Sequence, residues 1–540
     1  MDEARDAVPE AAPPRPRIGT YAWYALFVLF LVYVINFVDR QIISILAPSI
    51  GRDLHLGDDD IGFLYGTAFA VFYALFGIPL GRLADSWYRG RLIAIGLGLW
   101  SSMTALSGFA SNFTMLATAR IGVGIGEASA SPAAYSMISD YFPKEKRGTA
   151  LSIYSAGLYV GGGLSLPVGS FVVSHWNTAF PDPATAPLGL HGWQAAFLAV
   201  GIPGLLLALW VLSLREPQRG AMDGQPQPVV QPNAWRNFGA ELVAIIPPLT
   251  LFNTARIRGA LPINVAALII VGATSYGLIQ LTGNWKQWAA YGIGIYAVFS
   301  WVQALRARDP ATYRLIWGNR TVMMLAVAFG SISFMTYAIA FWAPSYAIRV
   351  FYGNDGTVPA QILGGLKAAD EVAIILGIGA AIAAATGVIL GGIVSDLWRR
   401  RDPRGRIFIN MLAVVLPAPA VFIMFTTHSL ETYYLASPFA QLFGSMWVGA
   451  AVATLQDLVL PRMRATAGAT YVLGTTMVGL ALGPYLAGAI SKATQSLQAG
   501  IFGLYVVPPF TLLALWLGGR RIAELEATRV ERARAAGEPI

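Results

Sequence analysis

The sequence predicts an all-α polytopic membrane protein built from two pseudo-symmetric six-helix bundles, and three observations lead to this prediction. Of the 540 residues, 56% are hydrophobic and only 12% are charged, whereas about a quarter of the residues in a soluble domain are charged. The apolar residues form continuous runs of about 20, the length that a membrane-spanning helix needs. Sequence elements of the first half also recur, in the same order, in the second half.

Continuous apolar runs favour helices over a membrane β-barrel, because the strands of a barrel alternate apolar and polar residues. Fourteen runs are candidate spans. Six lie near 21–48, 61–82, 92–110, 114–138, 149–174 and 193–214, six near 321–345, 372–395, 406–427, 432–458, 466–490 and 498–519, and two near 260–282 and 287–305. The last two fit an inserted hydrophobic hairpin that crosses the membrane; the alternative is a hairpin that lies at its surface.

These spans divide the chain into five parts. We expect a cytoplasmic N-terminal tail over 1–20, a six-helix bundle over 21–214, a central cytoplasmic linker with the inserted hairpin over 215–320, a second six-helix bundle over 321–519 and a cytoplasmic C-terminal tail over 520–540. Lys and Arg indicate the orientation, because cytoplasmic loops are enriched in them. Five of the 37 lie in connections on one side and two lie within spans, so the cytoplasmic side holds all the others.

An internal repeat supports a duplicated plan. The first repeated element is Gly-x-x-x-Asp at the end of the second span of each half, followed by Arg-Gly-Arg. The second element is an Asp and an Arg seven residues apart, followed by Thr-Ala. The copies are Gly81–Asp85 with Arg89–Arg91, Gly392–Asp396 with Arg404–Arg406, Asp140–Arg147 and Asp457–Arg464. Offsets of 311 and 317 residues predict a parallel duplication, with the substrate site between the two halves.

The same motifs resemble those of the major facilitator superfamily. Gly81–Asp85 with Arg89 and Arg91 is similar to the signature of its loop between the second and third helices. Arg120–Glu127, which reads Arg-Ile-Gly-Val-Gly-Ile-Gly-Glu, is similar to its fourth-helix motif, and Gly157–Gly169 to its glycine-rich fifth helix. The resemblance covers nearly the whole chain except the termini and 215–310, and it implies the major facilitator fold.

Within the superfamily, the chain most resembles the spinster-like lipid transporters. The likeness rests on Asn36–Arg40, which reads Asn-Phe-Val-Asp-Arg, on Gly122–Ala128 and on Arg215–Gly220. Related organic-anion symporters share the Asn-x-x-Asp-Arg pattern. The resemblance therefore implies transport of a lysolipid-like anion and leaves a small organic anion as the alternative.

Four ionisable residues fall deep within spans, where each costs a few kcal/mol and indicates function. They are Asp39, Arg40, Arg120 and Glu127, all in the first half, and the interiors of the second-half spans carry none. Arg120 and Glu127 are seven residues apart and share one face of a helix. The resemblance implies that Asp39 and Glu127 bind the coupled proton and that Arg120 pairs with Glu127. The alternative is a fixed neutral network that only holds the helices together.

Two further sets of residues complete the predicted site. The substrate-binding or charge-network set combines polar residues of the first half with aromatic and amide residues of the second: Asn36, Arg40, Arg120, Tyr337, Trp342, Gln441 and Trp447. The second set is expected to form ion pairs that hold the cytoplasmic face closed: Asp85, Arg89, Arg91, Asp140, Arg147, Asp396 and Arg464. Arg40 also suits an anionic headgroup, because guanidinium binds phosphate through two hydrogen bonds.

The predicted function is that of a secondary active transporter rather than an enzyme. The sequence has no G-x-x-x-x-G-K-[ST] loop of the kind that binds ATP phosphates. We therefore expect a proton gradient to drive alternating access, and we expect no cofactor or metal. The expected partners are the lipid bilayer and an amphipathic or organic-anion substrate, with no nucleic acid, and the expected state is a monomer in the bacterial inner membrane. The alternatives are a small organic-anion symporter, a drug exporter and, with less support, an intramembrane lipid-modifying enzyme.

Overall fold

The computed structural model is helical along nearly its whole length, and it describes residues 19–220, 222, 228–460 and 463–538. Eight helices form the first bundle: α1 (Thr20–Asp53), α2 (Asp58–Tyr65), α3 (Thr67–Ser86), α4 (Arg89–Ser107), α5 (Phe113–Glu127), α6 (Ala130–Tyr141), α7 (Lys144–Ala179) and α8 (Gly192–Leu212). Breaks at Gly66 and near Ala128 divide two of the spans, so that α2 with α3 and α5 with α6 each act as one bent rod.

A central region and a second bundle follow. The central helices are α9 (Ala234–Ile245), α10 (Leu249–Ala255), α11 (Ala260–Thr282), α12 (Trp285–Arg308) and α13 (Pro310–Leu315). The second bundle contains α14 (Arg320–Phe351), α15 (Ala368–Ile374), α16 (Ala380–Arg399), α17 (Gly405–Val415), α18 (Pro417–Thr426), α19 (Leu430–Ser445), α20 (Trp447–Asp457), α21 (Arg464–Leu473), α22 (Gly483–Thr494), α23 (Leu497–Gly503) and α24 (Val507–Gly519). Two π-helical turns, Ile375–Gly379 and Gly474–Leu480, join α15 to α16 and α21 to α22. Two short helices, α25 (Ile522–Ala527) and α26 (Arg529–Ala535), close the described chain.

By length and composition, twelve helical segments of the described residues can cross a membrane. Twelve of the fourteen predicted spans meet this test. The two that fall short are those predicted near 92–110 and 114–138. Arg91 lowers the hydropathy of the first, and Arg120 and Glu127 lower that of the second. Both helices nevertheless pack inside the first bundle, with α4 between α5 and α8, so bundle contacts offset the cost of their polar residues.

Glycines let α16 approach α19 and α20 backbone to backbone. A Cβ atom on Gly391 would lie 2.1 Å from the carbonyl oxygen of Met446, and one on Gly387 would lie 2.0 Å from that of Leu442. Gly392, the next residue along the chain, has no heavy atom within 4 Å of its Cβ position. The repeated Gly-x-x-x-Asp element of the second half therefore begins directly after a glycine that the packing requires.

We expect Gly391→Ala to lower the melting temperature of the purified protein by about 2–12 °C. Overpacking costs about 1–3 kcal/mol, and 1 kcal/mol shifts the melting temperature by about 2–4 °C in a domain of about 200 residues. Gly392→Ala is the matched control, and it should leave the melting temperature unchanged or raise it, since alanine favours a helix over glycine. Differential scanning fluorimetry in detergent measures both, and equal shifts would contradict the packing described here.

Candidate functional site

Four buried charged side chains meet inside the first bundle, between α1 and α5. Asp39 and Arg40 lie on α1, and Arg120 and Glu127 lie on α5; none of the four is more than 6% exposed. Asn36, one helical turn before Arg40, is also buried and lies beside Glu127. The spacing along each helix thus brings together the five polar residues that the sequence singled out in this half.

The only ion pair within this cluster, among the described residues, joins Arg40 to Glu127. The Nη2 atom of Arg40 lies 2.5 Å from Oε2 of Glu127, and Nε of Arg40 donates to the same oxygen at 3.1 Å. The Arg40 guanidinium also lies 4.6 Å from the ring centre of Phe69 and 4.7 Å from that of Phe37. Because removing one partner of a buried ion pair costs about 3–5 kcal/mol, Arg40 gains from another anion whenever Glu127 loses its charge.

Arg120 does not pair with Glu127 in this structure, so the pairing implied by the family resemblance is corrected. Its Nη1 atom donates to the backbone carbonyl of Asp39 at 3.3 Å, and its guanidinium lies 5.6 Å from the ring centre of Phe69. Its Nε and Nη2 atoms have no hydrogen-bond partner among the described residues. Arg40 is therefore the ion-pair partner of Glu127, and Arg120 adds a second positive charge next to the backbone of Asp39.

Both carboxyl oxygens of Asp39 are buried without a hydrogen-bond partner in the part of the chain that the structure describes. The side chains of Trp100 and Thr104 on α4 lie beside the carboxyl group, but Trp100 Nε1 and Thr104 Oγ1 are likewise unpartnered there. In this polar patch, the Trp100 and Thr104 donors lie beside the Asp39 carboxyl group without forming a hydrogen bond to it. A buried ionised carboxylate without partners is costly in a medium of low dielectric constant.

The second half presents Tyr337 to this cluster. Tyr337 lies on α14, is partly exposed and is within electrostatic range of Arg40. Tyr159 of α7 and Tyr471 of α21 lie near Tyr337 and near each other. Tyr73 of the first half, whose ring centre lies 5.1 Å from the Arg40 guanidinium, and Tyr337 of the second half are therefore the tyrosines next to Arg40.

The other three second-half candidates occupy different places. Trp342 is fully buried and donates from Nε1 to the carbonyl of Pro484 at 2.9 Å. It packs against α22 in this conformation, and its membership of the substrate-binding set stays a prediction. Trp447 is 4% exposed and packs 6.1 Å from the ring of Tyr471. Gln441 lines a crevice inside the second bundle, together with mainly apolar residues of α14, α17, α18, α19 and α24.

Two buried acids of the second half were not singled out from the sequence, because they lie at the start of a span rather than in its interior. Asp370 and Glu371 lie on α15, at the start of the eighth span of the two bundles, and are 4% and 0% exposed. Asp370 accepts hydrogen bonds from Ser170 at 2.7 Å and Ser174 at 2.9 Å on α7 of the first half. Asp370 therefore ties the two halves together.

Glu371 instead fixes the connection before α15. It accepts from the backbone N–H groups of Ile362 and Leu363 at 2.7 and 2.6 Å, and from the hydroxyl of Tyr352 at 2.5 Å. Burial and the hydrogen bond to Glu371 raise the pKa of Tyr352 to about 12. This acid has a structural role, and the signal for it in the sequence is only that it directly precedes an apolar run.

The residues of the predicted cytoplasmic gate form ion pairs within each half. In the first half, Arg89 is fully buried and pairs with Asp140 and with Glu216, the latter at 2.7 Å. In the second half, Arg406 pairs with Asp457 and lies 3.4 Å from Asp396. These residues thus form one network within each half, on the side where α3 connects to α4, which we term the α3–α4 side, and their role as a gate stays a prediction.

These networks refine the internal repeat. Arg89 and Asp140 are 51 residues apart, as are Arg406 and Asp457. The structure therefore matches Arg89 to Arg406, whereas alignment of the two Arg-Gly-Arg motifs matches it to Arg404. Because α4 begins at Arg89 and α17 at Gly405, the arginine that reaches the acid sits in the first turn of each helix.

The remaining gate residues lie at the surface or close to it. The guanidinium of Arg91 lies 4.5 Å from the ring centre of Tyr88, Arg147 donates to the carbonyl of Ser139 at 2.7 Å, and Arg464 is exposed. Asp85 lies near Arg219 in the connection after α8. Burial lowers the pKa of Arg219, which donates to the carbonyls of Ala84 and Trp87 at 2.7 and 2.6 Å and so holds the end of α3.

On the opposite side, which we term the α1–α2 side, ion pairs join the halves. Asp58 at the start of α2 accepts two hydrogen bonds of 2.7 Å from Arg349 of α14, and Asp59 lies 3.0 Å from Lys492 of α22. Asp60 lies 2.9 Å from Lys286 of the hairpin. The three consecutive acids were not singled out from the sequence, because acids in a connection are usually solvated.

The conformation follows from where these pairs lie. Within the described residues, both ion pairs that connect the first bundle to the second are on the α1–α2 side. On the α3–α4 side each bundle pairs internally. The molecule is therefore held closed at its α1–α2 side, with its halves unlinked by ion pairs at the other.

We expect Arg89→Ala to destabilise the protein more than Arg406→Ala. Removing fully buried Arg89 leaves Asp140 and Glu216 without their shared cation, and breaking a buried pair in this way costs about 3–5 kcal/mol. Arg406 is partly exposed, and Asp457 keeps a second partner, Arg399, at 2.5 Å. Melting temperatures measured in parallel test this order, and a larger loss for Arg406→Ala would contradict the two networks.

Known proteins resemble this chain over most of its length. The family model described as Major Facilitator Superfamily matches residues 29–484. The sequence is 26% identical over 509 residues to an MFS-type efflux pump of Mycolicibacterium smegmatis, covering 93% of both chains. It is 26% identical over 486 residues to Protein spinster of Drosophila melanogaster, covering 88% of this chain and 63% of that protein.

Solved structures show the same fold. A bacterial homologue of the human lysosomal transporter spinster, in an inward-facing and unoccupied conformation, superposes with a TM-score of 0.63. The two are 24% identical, and the match covers 96% of this chain and 97% of the other. The predicted fold of two six-helix bundles is confirmed.

Proposed function

This chain belongs to the Major Facilitator Superfamily of transporters, and we propose that it is a proton-coupled secondary transporter of a lysolipid-like or other amphipathic organic anion. Twelve apolar helices make it an integral membrane protein. Within that frame, we place it as a monomer in a bacterial inner membrane with both termini in the cytoplasm, an orientation supported by the concentration of Lys and Arg on the α3–α4 side.

The observation that carries the proposal is the buried Arg40–Glu127 pair. Glu127 offers Arg40 one oxygen, and its other oxygen, Oε1, has no partner among the described residues. A proton on Glu127 removes the charge that holds Arg40, so the guanidinium becomes available to an anion. Conversely, an anion that takes Arg40 leaves Glu127 as an unpaired buried carboxylate, which gains from protonation.

Proton and anion therefore favour each other's binding at this site, and thermodynamic linkage makes the effect reciprocal. Asp39 and Arg120 adjust the balance. Arg120 balances Asp39 when both acids are ionised, and the oxygens of Asp39 lie beside the donors of Trp100 and Thr104 on α4 without a hydrogen bond to either. The outcome is co-binding of an organic anion and at least one proton in the state that is open on the α3–α4 side.

An amphipathic substrate fits the unequal halves. The charged groups lie in the first bundle, whereas Tyr337 and the mainly apolar crevice beside Gln441 belong to the second. A headgroup held by Arg40 would leave its acyl chain next to the second bundle. Similarity to proteins named spinster agrees with the family resemblance that implies a lipid-like substrate, and similarity to an MFS-type efflux pump supports an exporter as the second candidate.

The test is transport by purified protein in liposomes. We expect fluorescent lysolipid to move across the bilayer at a rate that rises when a proton gradient is imposed. A small carboxylate and a cationic drug serve as parallel substrates. If the carboxylate moves and lysolipid does not, the protein is a small-anion symporter. If only the drug moves, the protein is a drug exporter. No response to the proton gradient would remove the proton coupling.

A further inference from the structure

One face of α4 carries two buried polar side chains that take no part in the Arg40–Glu127 pair. Trp100 and Thr104 are four residues apart, so they lie about one turn apart on the same face of the helix. They are 0% and 1% exposed, and both lie beside the carboxyl group of Asp39 on α1. Neither Trp100 Nε1 nor Thr104 Oγ1 has a hydrogen-bond partner among the described residues. Two buried donors therefore converge on one acid.

Close packing fixes the face of α4 that these donors occupy. A Cβ atom on Gly126 of α5 would lie 2.8 Å from the backbone nitrogen of Trp100. On another face of α4, a Cβ atom on Gly204 of α8 would lie 2.1 Å from Oγ of Ser101. Because α5 and α8 both touch α4 at this level, α4 cannot rotate its donors away from Asp39 unless those two helices also move.

The two protonation states of Asp39 use the donors differently. An indole N–H group donates a hydrogen bond but cannot accept one. An ionised carboxylate accepts through both oxygens, whereas a protonated carboxyl group must donate its own proton and keeps less capacity to accept. Hydrogen bonds to charged groups are also the stronger ones. Trp100 and Thr104 therefore stabilise ionised Asp39 more than protonated Asp39.

The charged groups around Asp39 come from α1 and α5. Glu127 and Arg120 lie within electrostatic range of its carboxyl group, and Arg40 follows it on α1. Helix α8 contains no ionisable residue, and both arginines of α4 lie in its first turn. Arg120 donates to the backbone carbonyl of Asp39 and not to its carboxyl group. Arg120 thus supplies positive charge, and the donors on α4 are the groups that can bind the carboxylate oxygens.

The two acids of the cluster consequently differ in their partners. Glu127 is bound by Arg40, the residue that is also proposed to hold the substrate anion. Asp39 instead lies beside donors of α4 that bind no other group among the described residues. A substrate anion that takes Arg40 therefore leaves the donors of Asp39 in place.

We propose that Trp100 and Thr104 are positioning residues that bind the Asp39 carboxylate when it releases its proton, and that they set the pH of this exchange without touching the anion held by Arg40. In this step the O–H bond of Asp39 breaks and its proton passes to water. The indole and the hydroxyl group keep their own protons and donate hydrogen bonds to the two carboxylate oxygens. The inference rests on the proposed proton coupling.

The first test titrates the carboxyl group itself. Infrared spectra of the purified protein are recorded across pH without substrate, and the C=O band of protonated Asp39 is assigned by its loss in Asp39→Asn. Thr104→Val removes one donor at nearly constant volume, and Trp100→Phe removes the other. We expect each to move the midpoint of the band to higher pH by about one unit, since a hydrogen bond to a charged group changes a protonation equilibrium about tenfold.

Two further variants of α4 separate this effect from a general disturbance of packing. Ser101→Ala removes a buried hydroxyl group that faces Gly204 instead of Asp39, so the midpoint should stay at its wild-type value. Thr104→Ser keeps a hydroxyl group and should keep most of the wild-type behaviour. A shift in Ser101→Ala equal to that in Thr104→Val, or a wild-type midpoint in Thr104→Val, overturns the proposal. If Trp100→Phe does not fold, the comparison of Thr104→Val with Thr104→Ser decides.

Transport in liposomes gives an independent readout. Thr104→Val should move the pH profile of lysolipid transport to higher pH and leave the KM for lysolipid within twofold, because Arg40 keeps its surroundings. A raised KM with an unchanged pH profile would assign Thr104 to substrate binding and overturn the proposal. If the wild-type rate ignores a proton gradient, the proposed proton coupling fails, whereas the infrared midpoints still show whether α4 binds the Asp39 carboxylate.

Discussion

Glu127→Gln should slow proton-driven transport at least tenfold and remove the response of the rate to pH. Glutamine keeps a side-chain oxygen opposite Arg40, at the position where Oε2 of Glu127 now lies 2.5 Å away, but it cannot bind or release a proton. The substitution also leaves the buried Arg40 without its counter-charge, which costs about 3–5 kcal/mol in a protein interior. The measurement is lysolipid movement in liposomes at several pH values, with protein amounts matched.

Two further variants separate the loss of the proton from the loss of the pair. Arg40→Lys keeps the positive charge but loses the planar guanidinium, so anion affinity should fall while the rate still depends on pH. Arg40→Met in the Glu127→Gln background removes the uncompensated charge, and we expect it to recover part of the melting temperature lost by Glu127→Gln alone. If Glu127→Gln transports at the wild-type rate at every pH, Glu127 does not bind the coupled proton.

The composition of the buried cluster was predictable from the sequence, but its pairing was not. Spacings of four and seven residues place Asn36 with Arg40 and Arg120 with Glu127 on common faces, and the structure brings these residues together. Asp39 and Arg40 are adjacent, so their side chains diverge by about 100° around α1. Which of the two reaches α5 depends on the rotation of α1 within the bundle, and packing of distant residues determines that rotation.

The second-half acids were missed for a related reason. Asp370 and Glu371 precede a run of apolar residues, and hydropathy alone assigns such positions to a solvated connection. Their burial comes from partners far away in the sequence, namely Ser170 and Ser174 on α7 for Asp370, and Tyr352 for Glu371. The ion pairs that Asp58, Asp59 and Asp60 form also join residues far apart in the sequence. The predicted gate residues could be anticipated, because the internal repeat places the same Asp and Arg residues in both halves.

Breaking the Asp58–Arg349 pair should shift the protein toward the state that is open on the α1–α2 side. The pair has two hydrogen bonds of 2.7 Å, and Ser491 of α22 adds a third to Asp58 at 2.7 Å. Its side chains are 29% and 17% exposed, so water and salt weaken it. We assign it about 1–2 kcal/mol, and since 1.4 kcal/mol is a factor of ten, Arg349→Met should raise the open fraction about tenfold.

Spin labels report this shift directly. His55 and Gln495 are exposed on the α1–α2 side of the first and second halves, and each can be replaced by cysteine in a chain that has none. Arg349→Met should broaden the measured distance distribution toward longer separations, and the exchange Asp58→Arg with Arg349→Asp should restore much of the short component. Lys286→Met is the matched control, because it breaks an equally placed pair that joins α2 to the hairpin instead of the second bundle. An unchanged distribution in Arg349→Met, or an equal shift in Lys286→Met, would mean that this pair does not hold the halves together.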